Sequence, residues 1–384
     1  MNERIPHHPA SPLLDGCRPT LPPHAYFDPD WFAREQAAIW RKEWVCVGRA
    51  GDLPAMLLKR VSVGGENLVL LKDRDGKIAC FHNTCRHRGA ELCPGPERPL
   101  HGRLIACPYH QWSYDFSGRL VRTPFVSLGS DFRKEDHGLF PAHVREWNGF
   151  LFVCLADEPP DFGAMPDPAP SALDNWPMGE LVVGHLMVKR LNCNWKIFWE
   201  NYNECLHCPG IHPGLSEAVP IYAKGYMAPN EDPDWEPERA QSEPVLKPGR
   251  RTWTVDGRAC GPEFADLTDA EREAGHTFVT LLPSVFVCAH VDYVRAVRVT
   301  PVGPEETELR VEWLFAPETL QAPGFDLANV VDFATTVLNE DSAACEMNQR
   351  GLRSSRYRGG TLMPQEFDLF RFHEWIRQRM AAPA

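Results

Sequence analysis

Two pairs of ligand-type side chains constrain this chain more than any other feature. Cys85-Arg86-His87 sets a thiol and an imidazole one residue apart, and Cys107-Pro108-Tyr109-His110 sets a second such pair two residues apart. Each pair can present both side chains from a tight loop, so the fold must bring two loops together. Hairpins are written around them. Residues 67–71 and 77–81 flank Asp75-Gly76, and 112–116 and 119–121 flank Ser117-Gly118. Two thiolates and two imidazoles suit a tetrahedral zinc, or a [2Fe–2S] centre with two Cys on one iron and two His on the other. Each loop here mixes Cys with His, whereas zinc fingers commonly keep the two Cys together and the two His together. Arg86, Arg88, Tyr109 and Trp112 offer hydrogen bonds and cover for a charged cluster. Iron–sulfur is therefore favoured over zinc. His82 and Cys93 lie outside the pattern and read as structural; His101, in the gap, reads as exposed.

The chain is 384 residues long, beyond the size at which a single core usually stops growing, so two domains are expected. Hydrophobic content of 43% and charged content of 24% are those of a globular protein. A formal net charge of -12 argues against nucleic acid as a partner. There is no apolar run of about 18 residues to span a membrane. The N-terminal MNERIPHHPASPLL lacks the apolar stretch of a signal peptide, so a cytoplasmic location is expected. Thirteen cysteines in such a chain do not read as a disulfide framework. Cys17, Cys46, Cys154, Cys260 and Cys288 read as small buried hydrophobes.

Along the chain, residues 1–24 resemble a loose arm. Asp28 can cap a helix that Pro29 opens, and 31–44 has an amphipathic pattern. Short strands follow to about residue 154, and the Pro- and Asp-rich stretch 157–170 reads as a linker. Beyond it, 180–191 reads as a strand and 194–208 as a helix. Segments 278–290, 293–300 and 309–315 alternate as antiparallel strands, with Glu306-Thr307 in a turn. Segments 323–350 and 365–380 read as helices. The polar, Pro-rich segment 230–262 is expected to be a mobile loop near the site. The fold class is α+β: an arm and helix over 1–44 expected to pack on the larger domain, a small all-β domain over 45–156, and that larger domain over 157–384 with an antiparallel sheet surrounded by helices.

A second constellation lies in that larger domain. On a helix, Asn201, Glu204 and His207 stand at i, i+3 and i+6, close to one face. Pro209-Gly210 should end or bend the helix and let His212 turn back toward His207. Two imidazoles and one carboxylate make the facial triad of non-haem Fe(II), with positions left open for O₂. The carboxylate candidate is Asp341, near the apolar face of a helix, where a charge needs a partner. Glu340 and Glu346 read as solvated.

These motifs resemble a known family. Cys-x-His…Cys-x-x-His, with Arg88-Gly89 after the first pair and Tyr109 before the last His, looks like the Rieske motif. Residues 194–212 resemble the iron-ligand helix of Rieske non-haem iron oxygenase alpha subunits. Residues 340–349, Gly351-Leu352 and Tyr357-Arg358-Gly359 resemble its C-terminal iron-ligand segment. The likeness runs from the 31–44 helix to Phe372-His373. It implies a Rieske [2Fe–2S] cluster on Cys85, His87, Cys107 and His110. It implies a mononuclear Fe(II) on His207, His212 and Asp341, with Asn201 near the metal but not firmly bound. Glu204 stands where the family usually has Asp, the carboxylate that links one subunit's cluster to its neighbour's iron. Glu there, within Asn-Tyr-Asn-Glu-Cys-Leu-His-Cys-Pro, resembles the branch acting on glycine betaine, carnitine, choline and proline betaine.

The resemblance thus implies a monooxygenase that hydroxylates or oxidatively N-demethylates a small quaternary amine with O₂. Electrons would come from a separate flavin/iron–sulfur reductase that draws on NAD(P)H, since this chain has no Gly-x-Gly-x-x-Gly of its own. The family's assembly is a head-to-tail homotrimer. The competing readings are an aromatic ring-hydroxylating oxygenase and a simple electron-transfer Rieske protein. Tyr222, Tyr226, Trp253, Phe286, Tyr293 and Trp313 are candidates for a cation–π cage.

Overall fold

The alternating apolar segments of residues 45–154 form two antiparallel sheets. The larger has seven strands in the order Val45–Arg49, Phe150–Cys154, Pro141–Trp147, Ile78–His82, Glu66–Lys72, Leu57–Val63, Glu97–Pro99. The smaller has three: Ile105–Ala106, Ser113–Tyr114 and Leu120–Arg122. Both expected hairpins are present, and Gly76 and Gly118 take the positive φ their turns demand. Leu58, Val69, Leu71, Phe81, Ile105, Tyr114 and Leu120 pack between the strands into one core that also holds Cys85 and Cys107. The ligand loops are therefore backed by packed side chains.

These features come from a computed structural model, which describes residues 10–163, 170–236 and 246–381. The chain falls into two compact units. One takes Gln36–Ala164 and Leu282–Ser284; the other takes Met1–Glu35, Met165–Leu281 and Val285–Ala384. Residues 36–44 thus group with the strands. The linker reading of 157–170 lies partly outside the described residues.

The second unit is built on a five-stranded antiparallel sheet, ordered Val182–Leu191, Glu306–Phe315, Val294–Gly303, Val285–His290, His276–Leu281. The helices Trp195–Tyr202 and Leu327–Leu352 contact each other and this sheet. The α+β expectation holds, with helices packed on an antiparallel sheet.

Several boundaries differ from the sequence reading. The arm is tied down from Arg18–Pro19, which pairs with Thr361–Leu362; residues 1–9 lie outside the described chain. Asp28 does cap its helix, accepting the N–H of Asp30 at 2.8 Å, but the helix Pro29–Glu35 passes into a π-turn over Gln36–Trp40. Segment 278–290 is a hairpin of two strands, because Pro283 has no N–H to donate within a strand. Glu306 and Thr307 start a strand rather than lie in a turn, since the chain reverses ahead of them. Of the proposed loop 230–262, residues 237–245 fall outside the description. Elsewhere in it Thr252, Trp253 and Thr254 are buried, so that stretch is packed. Among the cysteines, Cys46, Cys154 and Cys288 are buried as expected, whereas Cys17 is exposed and Cys260 half-buried. His101 is exposed. No helix among the described residues is long and apolar enough to cross a membrane.

Candidate metal centre

The two ligand loops meet. Each is a tight backbone turn: the Gly89 N–H donates to the Cys85 carbonyl at 2.9 Å, and the Gln111 N–H donates to that of Cys107 at 3.0 Å. Gly89 and Gln111 both take positive φ to close these turns. The His87 and His110 rings lie with centroids 4.7 Å apart, and His87 stacks on Trp112 at 4.6 Å. Cys85 Sγ lies 3.2 Å from the Tyr114 hydroxyl. The His87 Nδ1 is buried and has no hydrogen-bond partner. A buried imidazole nitrogen without a partner, facing a second imidazole and backed by two buried thiols, is a donor set that fits an iron–sulfur cluster.

The second constellation is assembled by a broken helix. Trp195–Tyr202 is capped by Asn194, whose side chain accepts the Lys196 N–H at 3.0 Å. Lys196 is fully buried and pairs with Glu35 at 2.6 Å, and Trp195 Nε1 donates to the same carboxylate at 2.9 Å. The sequence reading carried this helix to residue 208, but it ends at Tyr202. The Glu204 carboxylate takes the backbone N–H groups of Leu206 and, at 3.3 Å, His207, which would otherwise continue the helix. Pro209 then lies in the first turn of a short helix, Cys208–Ile211, rather than ending the first one. His212 follows directly.

The break turns both imidazoles onto the helix Leu327–Leu352. His212 Nε2 lies 2.9 Å from Asp341 Oδ1, and His207 Nε2 lies 3.5 Å from the same oxygen. Donors about 2.1 Å from one metal in an octahedral site stand about 3 Å apart, and both distances to Asp341 Oδ1 are near that spacing. The opposite ring nitrogens are also held. His207 Nδ1 lies 2.6 Å from Glu204 and His212 Nδ1 2.7 Å from Glu340. Asn201 Nδ2 is 3.4 Å from His207 Nε2. Asn201, Glu204, His207, His212 and Asp341 are thus brought together.

Glu340 is not the solvated residue its helix position suggested. Glu346 is also engaged, accepting the backbone and side-chain N–H groups of Asn192 at 2.9 and 3.0 Å. The electrostatics follow from the contacts. Burial draws the His207 imidazolium pKa down, but the Asp341 and Glu204 carboxylates outweigh it and push it up to about 9. His212 is raised in the same way by Asp341 and Glu340 against its own burial. Burial raises the Asp341 carboxyl, and the two imidazoles more than reverse that. A nest of three carboxylates around two imidazoles favours positive charge at its centre, which a divalent cation supplies.

Cys208 Sγ also lies near, 3.9 Å from His207 Nε2, and with His207 and His212 forms a group compact enough to hold an ion. Its sulfur is bonded to Cys205 in a disulfide and is no thiolate, so Asp341 is the stronger third donor. The sequence reading missed this pair because Cys-x-x-Cys was absorbed into the motif around His207.

A cavity opens beside these groups, lined among others by Tyr202, Tyr222, Trp253, Phe278, Phe286 and Arg295. Tyr202 stacks on Phe286 at 4.1 Å. Of the six aromatic residues singled out from sequence, Tyr222, Trp253 and Phe286 line the cavity; Tyr226, Tyr293 and Trp313 are not in its lining. Tyr202, Phe278 and Arg295 were missed. Their place follows from strand pairing and from the helix ending, which no local signal gives.

Comparison with known proteins follows the same two units. Residues 43–130 match the Rieske [2Fe-2S] domain family. Residues 174–382 match the ring hydroxylating alpha subunit (catalytic domain) family. The chain is 31% identical to the glycine betaine monooxygenase oxygenase subunit of Chromohalobacter salexigens, across 94% of this chain and 86% of that one. It is 28% identical to the carnitine monooxygenase oxygenase subunit of Acinetobacter pittii, across 88% and 87%. In fold it is similar to the crystal structure of the quaternary ammonium Rieske monooxygenase CntA with L-carnitine. That likeness has a TM-score of 0.69 and 21% identity, over 98% of this chain and 100% of the other. It is also similar in fold to naphthalene 1,2-dioxygenase from Rhodococcus sp., with a TM-score of 0.69 and 17% identity over 95% of each chain.

Proposed function

Because the chain belongs to the ring-hydroxylating Rieske oxygenases, as an alpha subunit, we propose that it is a monooxygenase oxidising an N-methyl carbon of a betaine-like quaternary amine. The observation that carries this reading is the cavity in which His207, His212 and Asp341 share walls with Tyr202, Tyr222, Trp253, Phe278 and Phe286. Aromatic faces attract a quaternary ammonium group, which has no N–H to donate and must be held by cation–π contact. The names of the relatives point to the same substrate class.

In this reading Cys85 and Cys107 hold one iron of a [2Fe–2S] cluster and His87 and His110 the other. His207, His212 and Asp341 hold a mononuclear Fe(II). When bound, these groups supply stored electrons and O₂ activation. The protein's own residues orient and shield. Glu204 and Glu340 fix each imidazole through Nδ1 and leave Nε2 for the metal. Asn201 stands beside His207 without serving as a ligand, and the aromatic wall excludes water from the reacting methyl group. One oxygen atom enters a methyl C–H bond while two electrons and two protons take the other to water. The resulting N-hydroxymethyl cation expels formaldehyde and a proton, leaving a tertiary amine.

A separate reductase fed by NAD(P)H would supply the electrons. In a head-to-tail homotrimer Glu204 also serves as the link to His110 of the partner subunit. The test is aerobic turnover of the iron-loaded protein with a reductase and NAD(P)H. Glycine betaine and carnitine should release formaldehyde faster than naphthalene or benzoate is oxidised. Faster oxidation of a neutral aromatic overturns the reading in favour of ring hydroxylation.

A further inference from the structure

Strand pairing places Arg295 in an unusual position. In the five-stranded sheet it stands opposite Cys288 on one side and Trp313 on the other, and Cys288 in turn stands opposite Phe278. Directly paired residues share a face. The guanidinium therefore lies on the face whose Phe278 and Phe286 line the cavity, and Arg295 lines it too. Only 5% of Arg295 is exposed, and its Nε is buried with no hydrogen-bond partner.

Two other buried charges in this unit have partners of opposite charge. Lys196 has Glu35 at 2.6 Å, and Glu312, on the opposite face of the same sheet, has Arg298 at 3.0 Å and Arg310 at 3.2 Å. Among the described residues, no carboxylate forms an ion pair with Arg295. Cys288 beside it is no counter-charge, because burial pushes its thiol up to about 12 despite the pull of Arg295. The Trp253 Nε1, also in the cavity wall, is a second buried donor without an acceptor. A buried guanidinium without a counter-charge is costly, and a planar carboxylate is the group its fork fits best.

We propose that Arg295 binds the carboxylate of the substrate, so that the cavity selects zwitterionic amines over purely cationic ones. The inference rests on the quaternary-amine reading above and narrows it. The helix Leu327–Leu352 contributes Asp341 and the sheet contributes the guanidinium, and the aromatic rings that line the same cavity would seat the ammonium. A zwitterion such as glycine betaine or carnitine satisfies Arg295. Choline carries the same ammonium with a hydroxyl in place of the carboxylate; it leaves the guanidinium unpaired and adds a like charge near it. Arg295 is thus a specificity-determining residue.

The test measures dissociation constants of glycine betaine, choline and acetate by calorimetry on the metal-loaded full chain, alongside formaldehyde release. Wild type should prefer glycine betaine to choline. In Arg295→Gln the ratio of the two constants should fall roughly 10- to 100-fold, the worth of a charge-assisted hydrogen bond. Arg295→Lys should recover part of it, keeping the charge without the fork. An unchanged ratio, whether binding stays tight or both ligands weaken in parallel as a purely structural role predicts, overturns the proposal. If Arg295→Gln does not fold, Arg295→Lys must itself lower the ratio or the proposal falls. Wild type that releases formaldehyde from none of glycine betaine, carnitine and choline refutes the parent reading. Arg295 is then judged on acetate: weaker binding in Arg295→Gln supports its role as a carboxylate site, and equal binding refutes it.

Discussion

Glu340 lies 2.7 Å from His212 Nδ1, while the residue next to it in sequence, Asp341, faces the Nε2 of the same ring at 2.9 Å. One turn of the helix Leu327–Leu352 thus grips both sides of one imidazole. A ring held in this way loses little freedom when its other nitrogen takes a metal. Glu340→Gln should weaken Fe(II) binding roughly 10- to 100-fold, the usual range for such supporting groups. Metal titration of the apo-protein checks this, with the iron–sulfur absorption as a control for folding. Unaltered iron affinity would show that Glu340 only decorates the site.

Asp341 and Cys208 both lie beside the two imidazoles of the proposed mononuclear site, and the disulfide at Cys208 favours Asp341 as the third ligand. Asp341→Ala should lose that iron and all turnover, as should His207→Ala and His212→Ala. Cys208→Ser should retain the iron. In the three ligand variants the paramagnetic resonance signal of the reduced cluster should persist. Cys85→Ser or Cys107→Ser should abolish it, because a hydroxyl oxygen is a poor replacement for thiolate. Iron analysis and the spectrum of each variant read the two sites separately.

Glu204 ties His207 to the backbone break that positions it, and only 15% of its side chain is exposed. Glu204→Gln should retain both metals yet slow the single-turnover oxidation of a pre-reduced cluster roughly tenfold or more. Glu204→Asp, one methylene shorter, should be impaired as well. Wild-type rates in Glu204→Gln would remove this residue from the path between the two centres.

Glu231 supplies a pH prediction. Burial pushes its carboxyl up to about 7, and the N–H of Met227, donating at 2.7 Å, only partly offsets this. Its folded-state pKa therefore exceeds the unfolded value of about 4.5. The folded state holds the proton more tightly, so the stabilisation is complete below about pH 4.5 and is lost as pH rises to about 7. Glu231→Gln cannot ionise. Its Tm should fall less than that of the wild type between pH 5 and 8; parallel curves would refute the assignment.

The sequence by itself settled the parts of this protein whose geometry is local. A tight loop is specified by a few adjacent residues, so Cys85/His87 and Cys107/His110 were legible as two paired sets. The hairpins at Gly76 and Gly118 were legible for the same reason. His207 and His212 were visible as a pair, but where their helix breaks was not, because Glu204 makes the break by bonding backbone that a helix pattern assumes is already used. Tertiary structure alone decided the partners that meet from far apart. Glu340 reaches His212 across 128 positions of chain. Arg295 joins the cavity wall only because register turns its side chain to the face of Phe278 and Phe286, and a shift of one residue would have turned it away. Composition and periodicity record how a segment folds on itself; which distant side chain completes a charge is settled when the sheet and helices close around it.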